Sequence, residues 1–212
     1  YDVCKDLENN NYKGLVVIKS TVEPLTTIGL EKKFSKLHFL HNPEFLTAAT
    51  AYEDFHNQKH IVLGNCNGNQ GQVDKINNFY KQCYPDAVIS NCSSTESESM
   101  KIFCNTFYAV KVQFFNELFF LCQQNKCDYD NIVSLMLKNN WINPMHTKVP
   151  GPDGKFSYGG YCFPKDTNAL LQHMKNQGAS CKVLQSCVDE RNSMREDHTN
   201  VILKKLNSNK DL

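Results

Sequence analysis

The sequence predicts an α/β chain in which a partial parallel sheet is followed by an all-α region with one long helix. Three observations carry this reading. Over about the first ninety residues, short apolar runs alternate with helix-like stretches, the pattern of parallel βαβ units. From Ser94 to Lys126 the chain contains neither proline nor glycine, and its apolar residues recur at helical spacing. Residues 139–162 then gather three of the seven prolines and four of the ten glycines, which marks a long loop.

The elements follow in order. Residues 14–19 (GLVVIK) form a β-branched run suited to a strand buried on both faces. Residues 23–34 read as helix, 37–40 (LHFL) as a second strand, and 44–54 as a helix entered at Glu44. A strand at 60–64, a polar amphipathic helix at 72–83 and a last strand at 87–90 complete this half. The chain opens at the end of a helix, so the sheet is entered midway.

In the second half, Thr95-Glu96-Ser97-Glu98 fits the S/T-x-x-E capping box at a helix start. Phe103, Phe107, Val110 and Phe114 make one stripe of the long helix, and Phe115, Phe119 and Phe120 widen it beyond one face. A helix apolar over so much of its girth needs partners on several sides, which points to a domain-spanning, dimer-forming element. Helices at 130–138, 165–177 and 181–206 are expected to follow.

Composition narrows the function classes. The 23 basic and 22 acidic residues nearly balance, without the basic stripe of a nucleic-acid binder. No apolar run is long enough for a membrane span, and no basic stretch with an apolar core opens the chain. The ten cysteines include no CxxC pair, so structural zinc is not expected and a reducing cytoplasm is the simplest home. The triplet Asn91-Cys92-Ser93 is then a chance glycosylation match.

Four constellations could do chemistry. The sharpest is Gly159-Gly160-Tyr161-Cys162-Phe163-Pro164-Lys165-Asp166. Its glycines permit close approach of backbone to a ligand, and Cys162 enters a helix where the macrodipole and Lys165 attract negative charge. Asp166 can orient a water or an ammonium. The plainer account, one more buried structural thiol, is weakened by these flanks. The second is Glu98, Lys101 and Asn105, the last two one turn apart, able to hold an oxyanion and a hydroxyl. By spacing alone, a solvated Glu–Lys pair explains it better. The third, Asn42-Pro43-Glu44-Phe45-Leu46, is by itself a helix start with a favourable carboxylate. The fourth, Lys19-Ser20-Thr21-Val22, lies at a strand's carboxyl end, where open α/β sheets bind ligands, yet a simple helix cap explains it equally well.

Taken together, KSTV, NPEFL, E-x-x-K-x-x-x-N and GGYCFPKD stand in the order and approximate spacing of the UDP-glucose/GDP-mannose dehydrogenase family. The resemblance covers essentially the whole chain, and the PGPDGK loop at 150–155 resembles the UDP-glucose branch. It implies NAD-dependent oxidation of a UDP-sugar at C6, with Cys162 as the nucleophile that forms a thiohemiacetal and then a thioester. Lys101 and Asn105 match the oxyanion and sugar contacts, and Glu44 and Asp166 match carboxylates for proton transfer and water steering. Thr21 matches a catalytic residue that contacts the cofactor and an ordered water, and Ser20, Thr21, Val22, Cys162 and Lys165 match cofactor contacts. Glu44, Phe45, Leu46, Thr47, Lys101, Asn105 and the loop Lys155, Phe156, Ser157, Tyr158 and Gly159 match substrate contacts.

The resemblance also implies domains. Residues 1–92 match the second half of the NAD-binding, Rossmann-like domain, and 93–212 the central helical domain that carries substrate and dimer contacts. The implied partners are a UDP-sugar and a second copy of the chain, with no nucleic acid, no membrane and no metal.

Three departures stand out. Ala48 replaces a usual second glutamate, Ala49 a frequent glycine, and Trp141-Ile142-Asn143 a segment where relatives carry an arginine. No GxGxxG turn occurs in these residues, so the chain reads as the central piece of a longer enzyme, and the 212-residue polypeptide alone is expected to bind NAD feebly and to be inactive. Two alternatives remain: a GDP-mannose or N-acetylhexosamine nucleotide dehydrogenase, and a non-catalytic dimeric scaffold. A scaffold has no need of Cys162, Lys101, Asn105 and Asp166 together.

Overall fold

The computed structural model describes residues 1–47, 49–66 and 70–195. The chain divides into two compact units, Tyr1–Ile102 and Phe103–Leu212.

In the first unit, α1 (Asp2–Asn9) precedes β1 (Leu15–Ile18), α2 (Thr26–Lys33), β2 (His38–His41), α3 (Ala51–His56), β3 (His60–Asn65), α4 (Gln70–Cys83) and β4 (Val88–Ser93). The strands lie side by side in chain order. Both faces of the sheet are covered. Leu40, Ile61 and Leu63 pack with Val73 and Tyr80 of α4 on one face, while Phe39, Leu37 and Phe34 pack with Cys4 of α1 on the other. β1 alternates accordingly, Leu15 and Val17 to the first layer, Val16 and Ile18 to the second. Double coverage is why its apolar run is unbroken.

The sheet is mostly parallel and Rossmann-like, with one reversal. β1 pairs with β2, and β3 with β4, in parallel. β2 and β3 are antiparallel and share two residue pairs, Leu40 with Asn65 and His41 with Gly64. A parallel return needs a crossover along the face of the sheet. The segment between β2 and β3 instead leaves the carboxyl end of β2 and returns beside it, and its one helix among the described residues is the six-residue α3.

Two expectations for this half are corrected. The helix expected over 44–54 is confined to Ala51–His56, and Glu44 does not enter it. The Glu44 side chain accepts from the Leu46 N–H at 2.7 Å and its carbonyl accepts the Lys101 ammonium, so the backbone there is committed elsewhere. The capping box lies two residues earlier than Thr95–Glu98. Ser93 and Glu96 cap each other reciprocally, the Ser93 N–H donating to the Glu96 carboxylate at 2.8 Å and the Glu96 N–H to the Ser93 hydroxyl at 3.2 Å.

The long helix is α5 (Ser94–Gln124), with 31 residues. Near its start, Gly64 of β3 lies so close that a Cβ there would strike Ser97 and the Ser94 backbone. The second unit contains the remainder of α5, then α6 (Tyr129–Leu137), a long loop, α7 (Cys162–Asn176) and α8 (Lys182–Met194). Asp128 caps α6, accepting the Asn131 N–H at 3.1 Å. The core gathers Phe115, Cys122, Tyr129, Val133 and Val149 in one cluster and Ala109, Tyr158 and Cys187 in another. Phe103, Phe107, Phe114 and Leu121 of α5 remain exposed along one stripe. α7 begins at Cys162, three residues before its expected start, and the part of the 181–206 helix beyond 195 lies outside the described residues. Among the described residues no helix is long and apolar enough to cross a membrane.

Candidate active site

In the first unit, polar side chains collect at the carboxyl ends of β1 and β2. Lys19 donates to the Asn42 side-chain oxygen at 2.7 Å, and the same oxygen accepts the Tyr80 hydroxyl at 2.5 Å. The Asn42 amide donates to the Val62 carbonyl at 2.8 Å, tying the end of β2 to β3. Burial lowers the Lys19 pKa, with Glu44 acting against it. His41 is fully buried between the Ser97 hydroxyl at 2.8 Å and the Ser20 carbonyl at 3.3 Å, and burial brings its pKa down to about 4.

Lys101, on α5, is 5% exposed. Its ammonium donates to the Glu44 carbonyl at 2.5 Å, stands 3.5 Å from the Glu44 carboxylate and lies over the Phe45 ring, 5.0 Å from its centre. Glu98, a turn earlier, does not pair with it. The Glu98 carboxylate is wholly buried at the N-terminus of α2, accepting the Leu25 N–H at 2.7 Å, the Thr27 N–H at 2.7 Å and the Thr27 hydroxyl at 2.5 Å. A solvated Glu98–Lys101 pair is therefore ruled out: both side chains are buried and each has another partner. Ser20 is exposed, and Thr21 and Val22 are half-buried just after β1. The Thr47 N–H donates to Asp54 at 2.8 Å. Ala48 lies outside the described residues.

In the second unit, Cys162 is the first residue of α7 and its thiol is exposed. One turn on, Asp166 is buried, accepting the Asn105 amide at 2.6 Å and the Lys165 ammonium at 2.5 Å. Both carboxylate oxygens are thus engaged, and Asn105 is held by one of them.

The loop 155–159 is pinned from two sides. The Ser157 N–H donates to Asn116 at 2.8 Å and its hydroxyl to Gln113 at 2.5 Å, both on α5. Arg191 donates to the Tyr158 carbonyl at 3.1 Å, and a Cβ on Gly159 would strike the Arg195 guanidinium, which is itself paired with Asp153. Phe156 packs on Phe119 and Phe120, while Lys155 is exposed. Trp141 is 90% exposed. Gln113, Asn116, Arg191 and Arg195 were not among the sequence candidates. The two polar residues set three apart in an apolar helix were the available signal.

A Rossmann-like sheet with polar groups at its strand ends, followed by a helical region, has the architecture of the nucleotide-binding α/β proteins. The chain belongs to the UDP-glucose/GDP-mannose dehydrogenase family, residues 2–84 matching its NAD binding domain and residues 95–193 its central domain. It is 32% identical over 206 residues to the UDP-glucose 6-dehydrogenase of Campylobacter jejuni, covering 96% of this chain and 50% of that protein. The enzyme of the same name from Rickettsia typhi is 33% identical over 201 residues, covering 89% and 43%. A solved UDP-glucose dehydrogenase from Pyrobaculum islandicum superposes with a TM-score of 0.78 at 27% identity, over 90% of this chain and 44% of that one. The chain spans about half the length, or less, of the curated relatives it matches.

Proposed function

We propose that this chain carries the substrate and nucleophile part of an NAD-dependent UDP-glucose 6-dehydrogenase. The observation that carries the reading is the exposed Cys162 thiol at the start of α7, one turn before a buried Asp166 that holds Asn105. Cys162 is exposed as Cys83 and Cys127 are, and it alone of these three opens a helix that carries a buried carboxylate one turn on.

In this reading the Cys162 sulfur adds to the C6 aldehyde, a second oxidation turns the thiohemiacetal into a thioester, and water releases the carboxylate. Lys101 and Asn105 stabilise the developing oxyanion and hold the sugar. Asp166 fixes Asn105 and Lys165, and Glu44 stands beside the Lys101 ammonium as the carboxylate for proton transfer. Glu44, Phe45, Leu46 and Thr47, with Lys155, Phe156, Ser157, Tyr158 and Gly159, form the substrate contacts. The pinning of 155–159 by Gln113, Asn116 and Arg191 supports this, because a clamped loop presents its backbone in one geometry.

The residues fit the nicotinamide end of NAD: Ser20, Thr21 and Val22 are open or half-open at the carboxyl end of β1, the edge where such sheets take ligands. Cys162 and Lys165 belong to the proposed cofactor contacts by the family resemblance alone. NAD, when bound, supplies acceptance of a hydride. A homodimer through the exposed stripe of α5 and a cytoplasmic location, in keeping with ten free cysteines, belong to the same reading.

Alkylation tests it without turnover. The chain is treated with iodoacetamide with UDP-glucose or with buffer alone, and Cys162 is compared with Cys83 and Cys127, which are also exposed. UDP-glucose should slow modification of Cys162 and leave the other two unchanged. Equal rates at Cys162 in both arms would remove the substrate role.

A further inference from the structure

Two thiols outside the proposed active site are brought together by the way α5 ends. Its last turn closes with Lys126 in the left-handed region at φ 54, and two backbone bonds complete the motif, Cys127 N–H to the Cys122 carbonyl at 3.0 Å and Lys126 N–H to the Gln123 carbonyl at 3.2 Å. This is the Schellman arrangement, in which the second residue past the cap folds back over the residue three places before it. An apolar contact usually fills that position. Here both residues are cysteines.

The Cys127 thiol donates to the Cys122 carbonyl at 3.6 Å, so the side chain of Cys127 folds back onto the residue it would join. Their surroundings differ. Cys122 is buried in the cluster of Phe115, Tyr129, Val133 and Val149, whereas Cys127 is exposed. Burial pushes the Cys122 thiol up from its ordinary range, and the neighbouring Cys127 adds to that. One thiol is therefore open to a reagent, and the other waits against it.

We propose that Cys122 and Cys127 are a site of reversible oxidation, forming an intrachain disulfide across the end of α5 by exchange with a low-molecular-weight disulfide. The Cys127 thiolate attacks one sulfur of the small disulfide, making a mixed disulfide and releasing one small thiol, which takes up the proton Cys127 lost. The Cys122 sulfur then attacks the Cys127 sulfur, and the second small thiol leaves with the Cys122 proton. Two protein thiols are oxidised and one small disulfide is reduced to two thiols. The product locks the turn between α5 and the Asp128 cap of α6. In a reducing compartment such a bond is transient, formed under oxidative load and removed by thiols. It is independent of the catalytic reading.

The sequence supplies the assay. Lys126 separates the two cysteines, so trypsin places Cys122 in the peptide 112–126 and Cys127 in 127–138, each with a single cysteine. The full chain is incubated with oxidised glutathione, blocked with iodoacetamide, digested and weighed. The expected product in the wild type is the pair 112–126 and 127–138 joined by a disulfide, absent after dithiothreitol. Cys122→Ser should instead accumulate glutathione on Cys127 several-fold above the wild-type level, and Cys127→Ser should leave Cys122 reduced. Persistence of the adduct on wild-type Cys127 without the linked pair, no reaction at Cys127, or a linkage only between isotopically distinct chains would each overturn the proposal. The wild-type and Cys127→Ser arms stand even where Cys122→Ser fails to fold.

Discussion

The Asn105 amide donates at 2.6 Å to a carboxylate of Asp166 that is 1% exposed. The other oxygen of that carboxylate holds the largely exposed Lys165 ammonium at 2.5 Å. One side of this bridge is structural and the other lies at the surface, and the two are separable by mutation. Asp166→Ala leaves a buried amide without its acceptor and should cost about 1–3 kcal/mol in urea unfolding. Lys165→Ala leaves Asp166 its bond to Asn105 and takes away a mostly exposed side chain whose place water can take, so it should cost less than Asp166→Ala. Equal losses would contradict the geometry.

Glu98 gives a second test. Its carboxylate satisfies the first N–H groups of α2 and the Thr27 hydroxyl. Glu98→Ala orphans these donors in a buried place and should destabilise the chain by roughly 2 kcal/mol or more, whereas Glu98→Gln keeps one acceptor oxygen and should recover part of the loss. Thermal unfolding of the two variants beside the wild type reads the difference.

His41 predicts a pH dependence. Its pKa falls from the ordinary 6.5 to about 4, chiefly by burial, so the native state keeps it neutral while the unfolded chain protonates it near 6.5. Below that pH the unfolded state binds more protons, and stability falls as pH drops from 6.5 towards 4. The charged groups bearing on it are Lys19 and Lys101, which act in the same direction. His41→Gln should flatten this part of the profile in denaturant titrations at stepped pH. An unchanged slope would assign it to other groups.

The exposed stripe of α5 bears on the proposed dimer. Phe107→Glu with Phe114→Glu places charge on two side chains that are more than half exposed, so the fold should hold. Sedimentation at micromolar concentration should show a dimer for the wild type and a monomer for the double variant. A wild-type monomer would remove this part of the reading.

Much of the scaffold was legible because its physics is local. The run at 14–19 and the stretch free of proline and glycine from Ser94 to Lys126 announce a doubly covered strand and a long helix with no help from distant residues. What the pattern could not carry was pairing at a distance. Glu98 sits at helical spacing from Lys101, yet its partners are Leu25 and Thr27, more than seventy positions earlier. Glu44 has the composition of a helix start, but the Lys101 ammonium, 57 positions away, takes its carbonyl. The capping box was the right device read two residues late, because Ser93 and Thr95 offer the same S/T-x-x-E spacing. Cys162 and Asp166 stood out from their flanks alone, whereas the clamp on Ser157 needed the fold to bring Gln113 and Asn116 beside it.

The short antiparallel join between β2 and β3 has a wider meaning for this sheet. The ladder there has only the pairs at Leu40 and His41, and the Asn42 amide on the Val62 carbonyl and the packing of Leu40 with Ile61 and Leu63 complete the join. The stretch from Ala49 to Lys59 is not threaded across either parallel pair, so residues can be added or removed there without shifting the register of β1 against β2 or of β3 against β4. Length variation among related chains should therefore gather in that stretch. Amide protons along the join should trade with solvent sooner than those between β3 and β4, where six consecutive pairs share the load.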